Sequence, residues 1–316
     1  MTADIQRALV TGGAGFIGSH LADALIQGGA EVVVLDDLST GRRENLADAG
    51  DRIHWIEGDI RDRETLDRAM AGCDTVFHQA AVVSVPQTVK DPVTSAQVNE
   101  IGTVNVLETA RTAGVRRVVL ASSSAVYGDD PTVPKTEAMA ARPRSPYAVQ
   151  KRVGEHYARL YTELYDLPTV CLRYFNVFGP RQDPGSPYSG VISIFMSRAV
   201  DGQPPLIHGD GEQYRDFVFV ADVVRANILA ATRPGIGGTV FNIGTGRSVT
   251  INRLWDLVCD LAGSRLDPTY GPTRAGDIRE SVAHVAAAAE TLEFIPEHDF
   301  QAGLYATFAW YKETRS

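Results

Sequence analysis

Residues 12–18 read Gly12-Gly13-Ala14-Gly15-Phe16-Ile17-Gly18, and they join an apolar stretch at residues 7–11 to a helical pattern at residues 19–27. A second apolar stretch, residues 31–35, follows that pattern and runs directly into Asp36. Short apolar runs bounded by glycines predict buried strands, and the strand–helix–strand order predicts a βαβ unit. The N-terminal segment therefore predicts two neighbouring parallel strands joined by a crossover helix.

The glycines of this unit have the spacing of a dinucleotide-binding turn. Gly12, Gly15 and Gly18 form the pattern G-x-x-G-x-x-G, which differs by one residue from the standard fingerprint. Such a turn requires a tight bend and close approach of backbone N–H groups to a pyrophosphate. Asp36 can accept hydrogen bonds from the adenosine ribose, and its charge disfavours a 2′-phosphate. The pattern predicts NAD as the cofactor, a preference that the two arginines at residues 42–43 weaken.

The alternation of strands and helices continues as far as about residue 180. Further strands are predicted at residues 53–57, 75–81, 115–121 and 169–174, and helices at residues 65–70, 91–113 and 146–165. Six strands with helical crossovers predict an α/β fold built on a doubly wound parallel Rossmann sheet. We predict that residues 1–180 form the NAD-binding domain.

The character of the sequence changes after residue 180. Residues 180–190 are rich in Pro, Gly and Ser. Helices are then predicted at residues 191–200, 221–231, 251–261 and 282–292, and strands at residues 206–207, 215–220 and 239–243. We predict that residues 181–316 form a smaller mixed α/β substrate lobe, with segments near residues 215–245 that return to the main sheet.

Tyr147 and Lys151 lie four residues apart in the predicted helix at residues 146–165. Positions i and i+4 share one face of a helix, and a neighbouring ammonium makes a phenolate easier to form. Such a pair can act as a general base toward an alcohol. An isolated pair is more typical of a solvated helix face. Here, however, the chain also carries the glycine turn and a serine cluster, Ser122-Ser123-Ser124, after a predicted parallel strand, where doubly wound sheets bind ligands.

Composition limits the class of protein. The chain has 316 residues, of which 44% are hydrophobic and 22% charged, enough for a large core. Its net charge of −9, without a basic patch, argues against a nucleic-acid partner. Since no apolar run reaches the length of a membrane span and no signal-peptide pattern is visible, we predict a soluble cytoplasmic enzyme with no membrane partner.

Four side chains with reactive chemistry are interpreted as core residues. Cys73, Cys171 and Cys259 lie far apart in apolar surroundings without metal-ligand spacing, which predicts buried thiols in a reducing compartment and no metal site. His78 lies within a predicted buried strand, where a histidine is more often structural than catalytic.

Taken in order, the glycine turn, the Ser123 cluster and the Tyr147–Lys151 pair resemble the extended short-chain dehydrogenase/reductase superfamily. Two further motifs, Leu172-Arg173-Tyr174-Phe175-Asn176-Val177-Phe178-Gly179-Pro180-Arg181 and His208-Gly209-Asp210-Gly211 with Arg215-Asp216-Phe217, resemble the nucleotide-sugar 4-epimerases. The resemblance covers nearly the whole chain. It implies an NAD-dependent UDP-sugar 4-epimerase, of the UDP-glucose/UDP-N-acetylglucosamine type, that works through a 4-keto sugar and keeps its NAD bound.

The resemblance also implies roles by position. Tyr147 would be the base, Lys151 would lower its pKa and hold the nicotinamide ribose, and Ser123 would bind the reacting O4. The cofactor contacts implied together with the pattern above are Gly12, Gly15, Phe16, Ile17, Gly18, Asp36, Asp37, Asp59, Ile60, Ala80, Ala81, Asn99, Tyr147, Lys151 and Tyr174. The implied substrate contacts are Ser84, Ser123, Ser124 and Tyr147 at the sugar, Asn176, Gly190, Val191, Arg215 and Arg274 at the diphosphate, and Phe195, Leu206, His208 and Asp277 at the uridine.

One departure from the family pattern bears on the substrate. Many relatives restricted to glucose and galactose carry Tyr at the position of Ser281. A small side chain there leaves room for an N-acetyl group at C2. The resemblance therefore implies that UDP-GlcNAc and UDP-GalNAc fit beside UDP-glucose and UDP-galactose, unless Ser281 only packs a loop.

Other activities remain open at this point. UDP-glucuronate 4-epimerases are also similar, but they often carry Thr where this chain has Asn176. A catalytically silent dinucleotide sensor would usually lack the Tyr or the Lys, and both are present. Dehydration of a nucleotide sugar requires an Asp-Glu pair where this chain has Ser124-Ala125, so the sequence does not support it.

The family likeness implies a homodimer. Helices at about residues 95–113 and 146–165 would pair with their copies in a four-helix interface. The apolar residues that are compatible with this interface, and equally with packing on the sheet, are Val104, Leu107, Val153 and Leu160.

Overall fold

The computed structural model describes residues 4–183, 190–273 and 279–315. Its strands are β1 (Arg7–Thr11), β2 (Glu31–Asp36), β3 (Ile53–Glu57), β4 (Thr75–His78), β5 (Arg117–Ser123), β6 (Thr169–Tyr174), β7 (Asn176–Phe178), β8 (Leu206–His208), β9 (Tyr214–Arg215), β10 (Phe217–Phe219), β11 (Thr239–Ile243), β12 (Val249–Thr250), β13 (Thr269–Gly271) and β14 (Glu280–Ser281). Its helices are α1 (Phe16–Gln27), α2 (Arg63–Met70), α3 (Val85–Lys90), α4 (Pro92–Ala96), α5 (Thr103–Thr112), α6 (Pro146–Tyr165), α7 (Val191–Val200), α8 (Val220–Thr232), α9 (Ile251–Ala262), α10 (Ala286–Thr291) and α11 (Phe300–Arg315).

A parallel sheet of seven strands forms the centre of the molecule, in the order β11-β6-β5-β4-β1-β2-β3. Because β1 lies between β2 and β4, Val10 is in register with Val34 on one side and Phe77 on the other. From β1 the chain adds β2 and β3 on one side of the sheet, and it then returns to add β4, β5 and β6 on the other side. The crevice between β1 and β4 is the position where such sheets bind ligands. The predicted doubly wound parallel sheet is confirmed.

Helices cover both faces of the sheet, and successive side chains of each strand pack alternately against the two layers. Ala8 and Val10 pack into a core shared with α1 and α8, whereas Leu9 packs into a second core shared with α2, α5 and α6. Side chains of successive strand residues point to opposite faces, so nearly continuous apolar runs are what a sheet covered on both sides requires.

A smaller group of strands follows the main sheet in the chain. β10 pairs with β7, β13 with β8, and β9 lies between β12 and β14. A third core lies among these elements and includes Phe178, Phe195 and Trp255. The seventh strand of the main sheet, β11, comes from this later part of the chain and pairs with β6.

Several boundaries differ from the predicted ones. The strand predicted at residues 75–81 ends at His78, and the helix predicted at residues 91–113 is divided by a π-helical turn at Gln97–Gly102. The helix predicted at residues 282–292 begins only at Ala286. Its first residues are extended instead, because the Val282 carbonyl and the His284 N–H both hydrogen bond with the backbone of Lys135. The C-terminal helix α11 was not predicted.

The side chains interpreted as core residues are buried. Cys73, Cys171 and Cys259 are free thiols in the interior. The ring of His78 is satisfied on both sides, with Nδ1 2.8 Å from the Thr11 hydroxyl and Nε2 3.0 Å from the Thr103 hydroxyl. Among the described helices, none combines the length and apolar character that a bilayer crossing requires.

Candidate active site

The candidate site lies at the carboxyl ends of the central strands. β1 runs into the glycine turn, and β5 and β6 end at Ser123 and Tyr174, which are direct partners in the strand register. Ser145 begins α6 as its N-cap, with the hydroxyl accepting from the Ala148 N–H at 3.2 Å. This start places Tyr147 in the first turn of α6, next to the ends of the strands.

The glycine turn is shaped by close backbone contacts. Gly12 has φ +68°, and a Cβ there would lie 2.7 Å from the Ala80 nitrogen. A Cβ at Gly18 would lie 2.2 Å from the Gly12 carbonyl oxygen. Gly15 is the N-cap of α1 and makes no side-chain cap hydrogen bond, so the first-turn N–H groups of α1 can receive an anion. The turn therefore fits the pyrophosphate of a dinucleotide, and Phe16 and Ile17 begin the helix below it.

Asp36 lies beside this turn at the end of β2. One carboxylate oxygen accepts from the Ala14 N–H at 3.0 Å and the other from the Leu38 N–H at 2.8 Å. Burial raises the pKa of Asp36, and these two hydrogen bonds act in the opposite direction. A carboxylate can accept about four hydrogen bonds, so capacity remains for two ribose hydroxyls. The carboxylate geometry fits an adenosine ribose.

The arginines after β2 are engaged in other contacts. Arg42 forms an ion pair with Asp183 at 2.6 Å, and the Arg43 guanidinium lies 5.0 Å from the centre of the Trp55 ring. Neither contact is to Asp36.

The remaining predicted cofactor residues lie on the loops after β2, β3 and β4 and in the π-helical turn. Asp37 accepts from Ser39 within its own turn. Asp59 binds Arg61, with Nε 2.9 Å from Oδ2, and this bond holds the pKa of Asp59 below its usual range. The others are Ile60, which is buried, and Ala80 and Ala81, which are partly exposed.

Asn99 connects the loop after β4 to the helix that carries Tyr147. Its Oδ1 accepts from the Val82 N–H at 2.7 Å, while its Nδ2 donates to the Val82 carbonyl at 3.0 Å and to Gln150 Oε1 at 2.7 Å. Gln150 lies on α6 between Tyr147 and Lys151. Asn99 therefore fixes the segment that leads to Ala80 and Ala81 relative to α6.

The structure brings Tyr147, Ser123 and Lys151 together. The Ser123 hydroxyl hydrogen bonds with the Tyr147 phenol. The Lys151 ammonium lies 5.8 Å from the centre of the Tyr147 ring and donates to the Ala121 carbonyl at 2.9 Å. Burial lowers the pKa of Lys151 to about 8.

The direction of the Tyr147 pKa differs from the predicted one. Lys151 was expected to lower it, but burial of the phenol raises it, and the hydrogen bond with Ser123 acts only partly against this. The physical reason is desolvation, which disfavours the charged phenolate. The Lys151 ammonium donates to the Ala121 carbonyl and lies beside the Tyr147 ring.

The hydroxyl of Tyr174 is held by two residues that the sequence did not single out. It lies 3.0 Å from Asn227 Oδ1 and 3.2 Å from Gln79 Nε2. Burial raises the pKa of Tyr174 to about 12. Gln79 lies in a stretch predicted as a buried strand, and Asn227 lies in a predicted helix. Each is a polar residue among apolar ones, and this was the feature of the sequence that could have indicated a role for it.

Three of the predicted sugar and diphosphate residues lie at the start of short elements. Ser84 caps α3, with its hydroxyl accepting from the Gln87 N–H at 3.1 Å. Ser124 begins a 3₁₀ turn, Ser124–Tyr127. Asn176 begins β7, and its Nδ2 donates to the Asp216 carbonyl at 2.8 Å.

Arg215 and Ser281 are brought side by side as register partners of β9 and β14. The Arg215 guanidinium donates to the carbonyls of Tyr214 and Arg279. Arg274 and Asp277 lie outside the described residues.

The predicted residues near α7 and β8 differ in exposure. Gly190 and Val191 start α7, whereas Phe195 is only 2% exposed and packs edge-on against Trp255. On β8, Leu206 is 53% exposed, and His208 Nδ1 lies 3.2 Å from the Pro272 carbonyl oxygen. Phe195 therefore lies in the core beneath this surface, and Leu206 and His208 lie on it.

A buried charged network behind the serines was also missed. Arg173 donates to both oxygens of Glu155 at 2.7 and 2.8 Å and to the Tyr127 hydroxyl at 2.8 Å. Ser122 donates to the same carboxylate at 2.6 Å, and Tyr127 donates to Asn242 at 2.6 Å. An arginine inside the apolar stretch of β6 was the signal, because a buried guanidinium requires a partner. The network fixes the end of β5 beside Ser123.

Comparison with known proteins gives a consistent result. The model of a family described as the NAD dependent epimerase/dehydratase family matches residues 8–244. The UDP-glucose 4-epimerase of Mycolicibacterium smegmatis is 42% identical over 311 residues, which are 97% of this chain and 99% of that protein.

Solved structures are similar over nearly the whole chain. The UDP-glucose 4-epimerase of Thermotoga maritima with UDP-glucose has a TM-score of 0.94 and 40% identity, covering 98% of this chain and 100% of that one. The UDP-N-acetylglucosamine 4-epimerase of Methanobrevibacter ruminantium in complex with UDP-N-acetylmuramic acid has the same TM-score and identity, covering 98% of this chain and 99% of that one.

Proposed function

The chain belongs to the NAD-dependent epimerase/dehydratase family, and from that membership we propose that it interconverts the 4-epimers of UDP-hexoses. It is an NAD-dependent epimerase and therefore an isomerase. We propose UDP-glucose and UDP-galactose as substrates, together with UDP-GlcNAc and UDP-GalNAc. The observation that carries the proposal is the half-buried Tyr147 phenol, with Ser123 and Lys151 beside it, at the strand ends next to the glycine turn.

The glycine turn, Asp36 and the Ala80–Ala81 loop would hold the cofactor. Bound there, NAD⁺ would supply a reversible acceptor for the hydride of C4 of the sugar. The chain's own residues position the sugar and move a proton.

Tyr147 is proposed as the group that takes and returns the O4 proton. Its hydrogen bond with Ser123 orients the phenol and offers a second hydroxyl to O4. Lys151 places a positive charge near the ring, which favours the phenolate. Asn176 and Arg215 would hold the diphosphate while the 4-keto sugar turns over, which is a positioning role.

The wider substrate range rests on Ser281. This side chain lies next to Arg215, a proposed diphosphate contact, and it is small. The Methanobrevibacter relative, with 40% identity, is named a UDP-N-acetylglucosamine 4-epimerase. We propose that the space beside Ser281 receives the N-acetyl group at C2.

We further propose a homodimer formed through α6 and the helices near residue 100. Leu107 packs inside the core, so it is not a candidate for this interface. The exposed apolar side chains on these helices include Ile101 (57%), Val149 (43%), Tyr157 (40%), Leu160 (39%), Leu164 (65%) and Tyr165 (51%). A second copy covering them would remove apolar area from water.

The division of the chain and its compartment are likewise proposals. Residues 1–180, completed by β11, would bind NAD, and residues 181–316 would bind the nucleotide sugar. A reducing compartment, the cytoplasm, is consistent with the three free buried thiols.

The test is NMR of four incubations of the purified protein without added cofactor. The substrates are UDP-glucose, UDP-galactose, UDP-GlcNAc and UDP-glucuronate. We expect 4-epimers from the first three. Turnover of UDP-glucuronate alone would contradict the proposal in favour of a glucuronate epimerase, and no turnover even with added NAD⁺ would favour a catalytically silent sensor.

The variant Ser281→Tyr tests the N-acetyl pocket. It should lose turnover of UDP-GlcNAc while keeping that of UDP-glucose. Ser264→Tyr, at an exposed serine after α9, is the control. Equal turnover of UDP-GlcNAc by both variants would contradict the role of Ser281.

A further inference from the structure

Asp216 carries a carboxylate that is fully buried between β9 and β10. Oδ1 accepts from the Thr245 N–H at 2.8 Å and the Thr245 hydroxyl at 2.7 Å. Oδ2 accepts from the N–H groups of Gly246 at 2.9 Å and Ala283 at 3.1 Å. The carboxylate therefore joins two segments that are distant in the chain, residues 245–246 and residue 283.

The main chain of the same residue binds two further segments. Its N–H donates to the Ser281 carbonyl at 2.9 Å. Its carbonyl accepts from both the backbone N–H of Asn176, at 3.1 Å, and the Asn176 side-chain amide, at 2.8 Å. One buried residue thus fixes the beginning of β7, the end of β14 and the turn after β11.

Gly244 shows how tightly this arrangement is packed. A Cβ at Gly244 would lie 2.8 Å from Asp216 Oδ2 and 2.7 Å from the Ala283 Cβ. The turn after β11 therefore contacts the carboxylate directly. Displacement of the carboxylate cannot be absorbed locally and must be transmitted to the attached segments.

The segments bonded to the main chain of Asp216 carry the proposed substrate contacts, and the carboxylate anchors that main chain to residues 245–246 and 283. Asn176 is hydrogen bonded to it, Arg215 precedes it in the chain, and Ser281 is bonded to its backbone. A nucleotide sugar held by these groups requires all of them in one fixed geometry, and misplacement by about 1 Å can cost about 100-fold in rate.

We propose that Asp216 is a positioning residue that sets the affinity for the nucleotide part of the substrate by holding Asn176, Arg215 and Ser281 in one arrangement. The identity of that nucleotide, uridine diphosphate, rests on the proposed function. Asp216 acts through these residues and needs no contact with the sugar or the cofactor.

The substitution Asp216→Asn is a sharp probe because the two side chains have the same shape. Every group at the carboxylate oxygens is a donor: three backbone N–H groups and one hydroxyl. An asparagine presents an acceptor at one position and an NH₂ donor at the other, so in either orientation at least one backbone N–H faces another donor. A buried donor without an acceptor costs about 1–3 kcal/mol.

Asp222 supplies a matched control. Its carboxylate is 1% exposed and accepts from the N–H groups of Glu297 and His298 and from the His298 ring. It has the same chemistry and burial, but the segment it holds carries no proposed substrate contact. Asp222→Asn should lower the melting temperature without changing nucleotide binding.

The experiment measures UDP binding by calorimetry, together with KM, kcat and the NAD content of the purified variants. For Asp216→Asn we expect the Kd for UDP and the KM for the UDP-sugar to rise about tenfold or more, with kcat changing less than KM and NAD content unchanged. Thr245→Val, which removes one donor, should raise the Kd for UDP about two- to fivefold, and it replaces Asp216→Asn if that variant does not fold.

The outcomes separate this proposal from the proposed function. Unchanged UDP binding in a folded Asp216→Asn variant, or in Thr245→Val if the first is unfolded, would overturn the positioning role. An equal rise of the Kd in Asp222→Asn would also overturn it, because the effect would then follow stability alone. If the wild-type chain binds UDP without epimerising any UDP-sugar, the proposed function fails while the variants still decide the role of Asp216.

Discussion

At Tyr147, burial has two opposite effects on the proposed chemistry. It removes part of the phenol's contact with water, and it also raises the pKa, because a phenolate loses more solvation than a phenol. The hydrogen bond with Ser123 favours the phenolate, and Lys151 is proposed to add its positive charge. The reactivity of this residue therefore depends on neighbours from β5 and from the next turn of α6.

Replacing Tyr147 with Phe removes the hydroxyl and leaves the ring. We expect kcat to fall about 100- to 10,000-fold, the range ascribed to a general acid–base group. The NAD content of the purified variant should stay near that of the wild type, because the glycine turn and Asp36 are untouched. Tyr157→Phe, at a 40% exposed tyrosine of the same helix, is the control for turnover. Wild-type kcat in Tyr147→Phe would exclude the phenol as the base.

The pKa of Lys151 makes stability depend on pH. In the folded chain it is lowered to about 8 from an ordinary value of 10.5, so between these pH values the unfolded chain binds more protons. The free energy of unfolding of the wild type should therefore rise with pH across this range, relative to Lys151→Met, by up to about 3 kcal/mol.

Urea unfolding at pH 7, 8, 9 and 10 measures this difference. Other titratable groups contribute equally to the free energies of unfolding of the two proteins, so their contributions cancel in the difference. Lys90→Met, at an exposed lysine, should show no such trend against the wild type. A constant difference between wild type and Lys151→Met from pH 8 to pH 10 would show that the ammonium is not desolvated.

At the scale of elements, the local sequence pattern predicted the helices and strands whose ends are set by residues nearby in the chain. The bounds of α6, β6, α7 and β11 agree with the structure, because Pro146 starts α6 and apolar runs define the strands. Two of the misses depend on distant contacts. The π-helical turn near Asn99 binds Val82, and residues 282–284 pair with Lys135. No periodicity within a segment reports such partners.

The same limit applies to the candidate site. Tyr147, Lys151 and the glycines were found because short motifs carry them. Gln79 and Asn227 contact Tyr174 from distant parts of the chain, and only the fold brings them there. Asp216 belongs to the motif at residues 215–217, but its bonds with Asn176 and Thr245 depend on the fold.

Loss of one partner of the ion pair between α6 and β6 should destabilise the fold strongly. Glu155→Gln leaves the buried Arg173 guanidinium, 2% exposed, without its charged partner. We expect the free energy of unfolding to fall by about 3 kcal/mol. Chemical denaturation measures it, with Glu163→Gln at an exposed pair of α6 as the control. The double variant Glu155→Gln/Arg173→Met should recover part of the loss, and equal stability of Glu155→Gln and wild type would refute the prediction.

At the scale of the whole molecule, the proposed homodimer depends on the exposed face of α6. Leu164→Glu places a charge where Leu164 is 65% exposed, and it should convert a dimer into a monomer because a buried unpaired charge is costly. Sedimentation equilibrium measures the mass. Tyr305→Glu, at a 67% exposed position of α11, should leave it unchanged. A wild-type monomer, or a dimeric Leu164→Glu variant, would rule out this interface.

The return of β11 to the edge of β6 has a consequence for synthesis. While the chain leaves the ribosome, β6 is complete at Tyr174, but its partner is finished only when Ile243 has emerged. During this interval the nascent sheet presents an open edge of unpaired backbone groups and apolar side chains, which favours association with other chains. The later half of the sequence therefore protects the first half from aggregation, and a nascent chain that stalls between these strands is the form most in need of a chaperone.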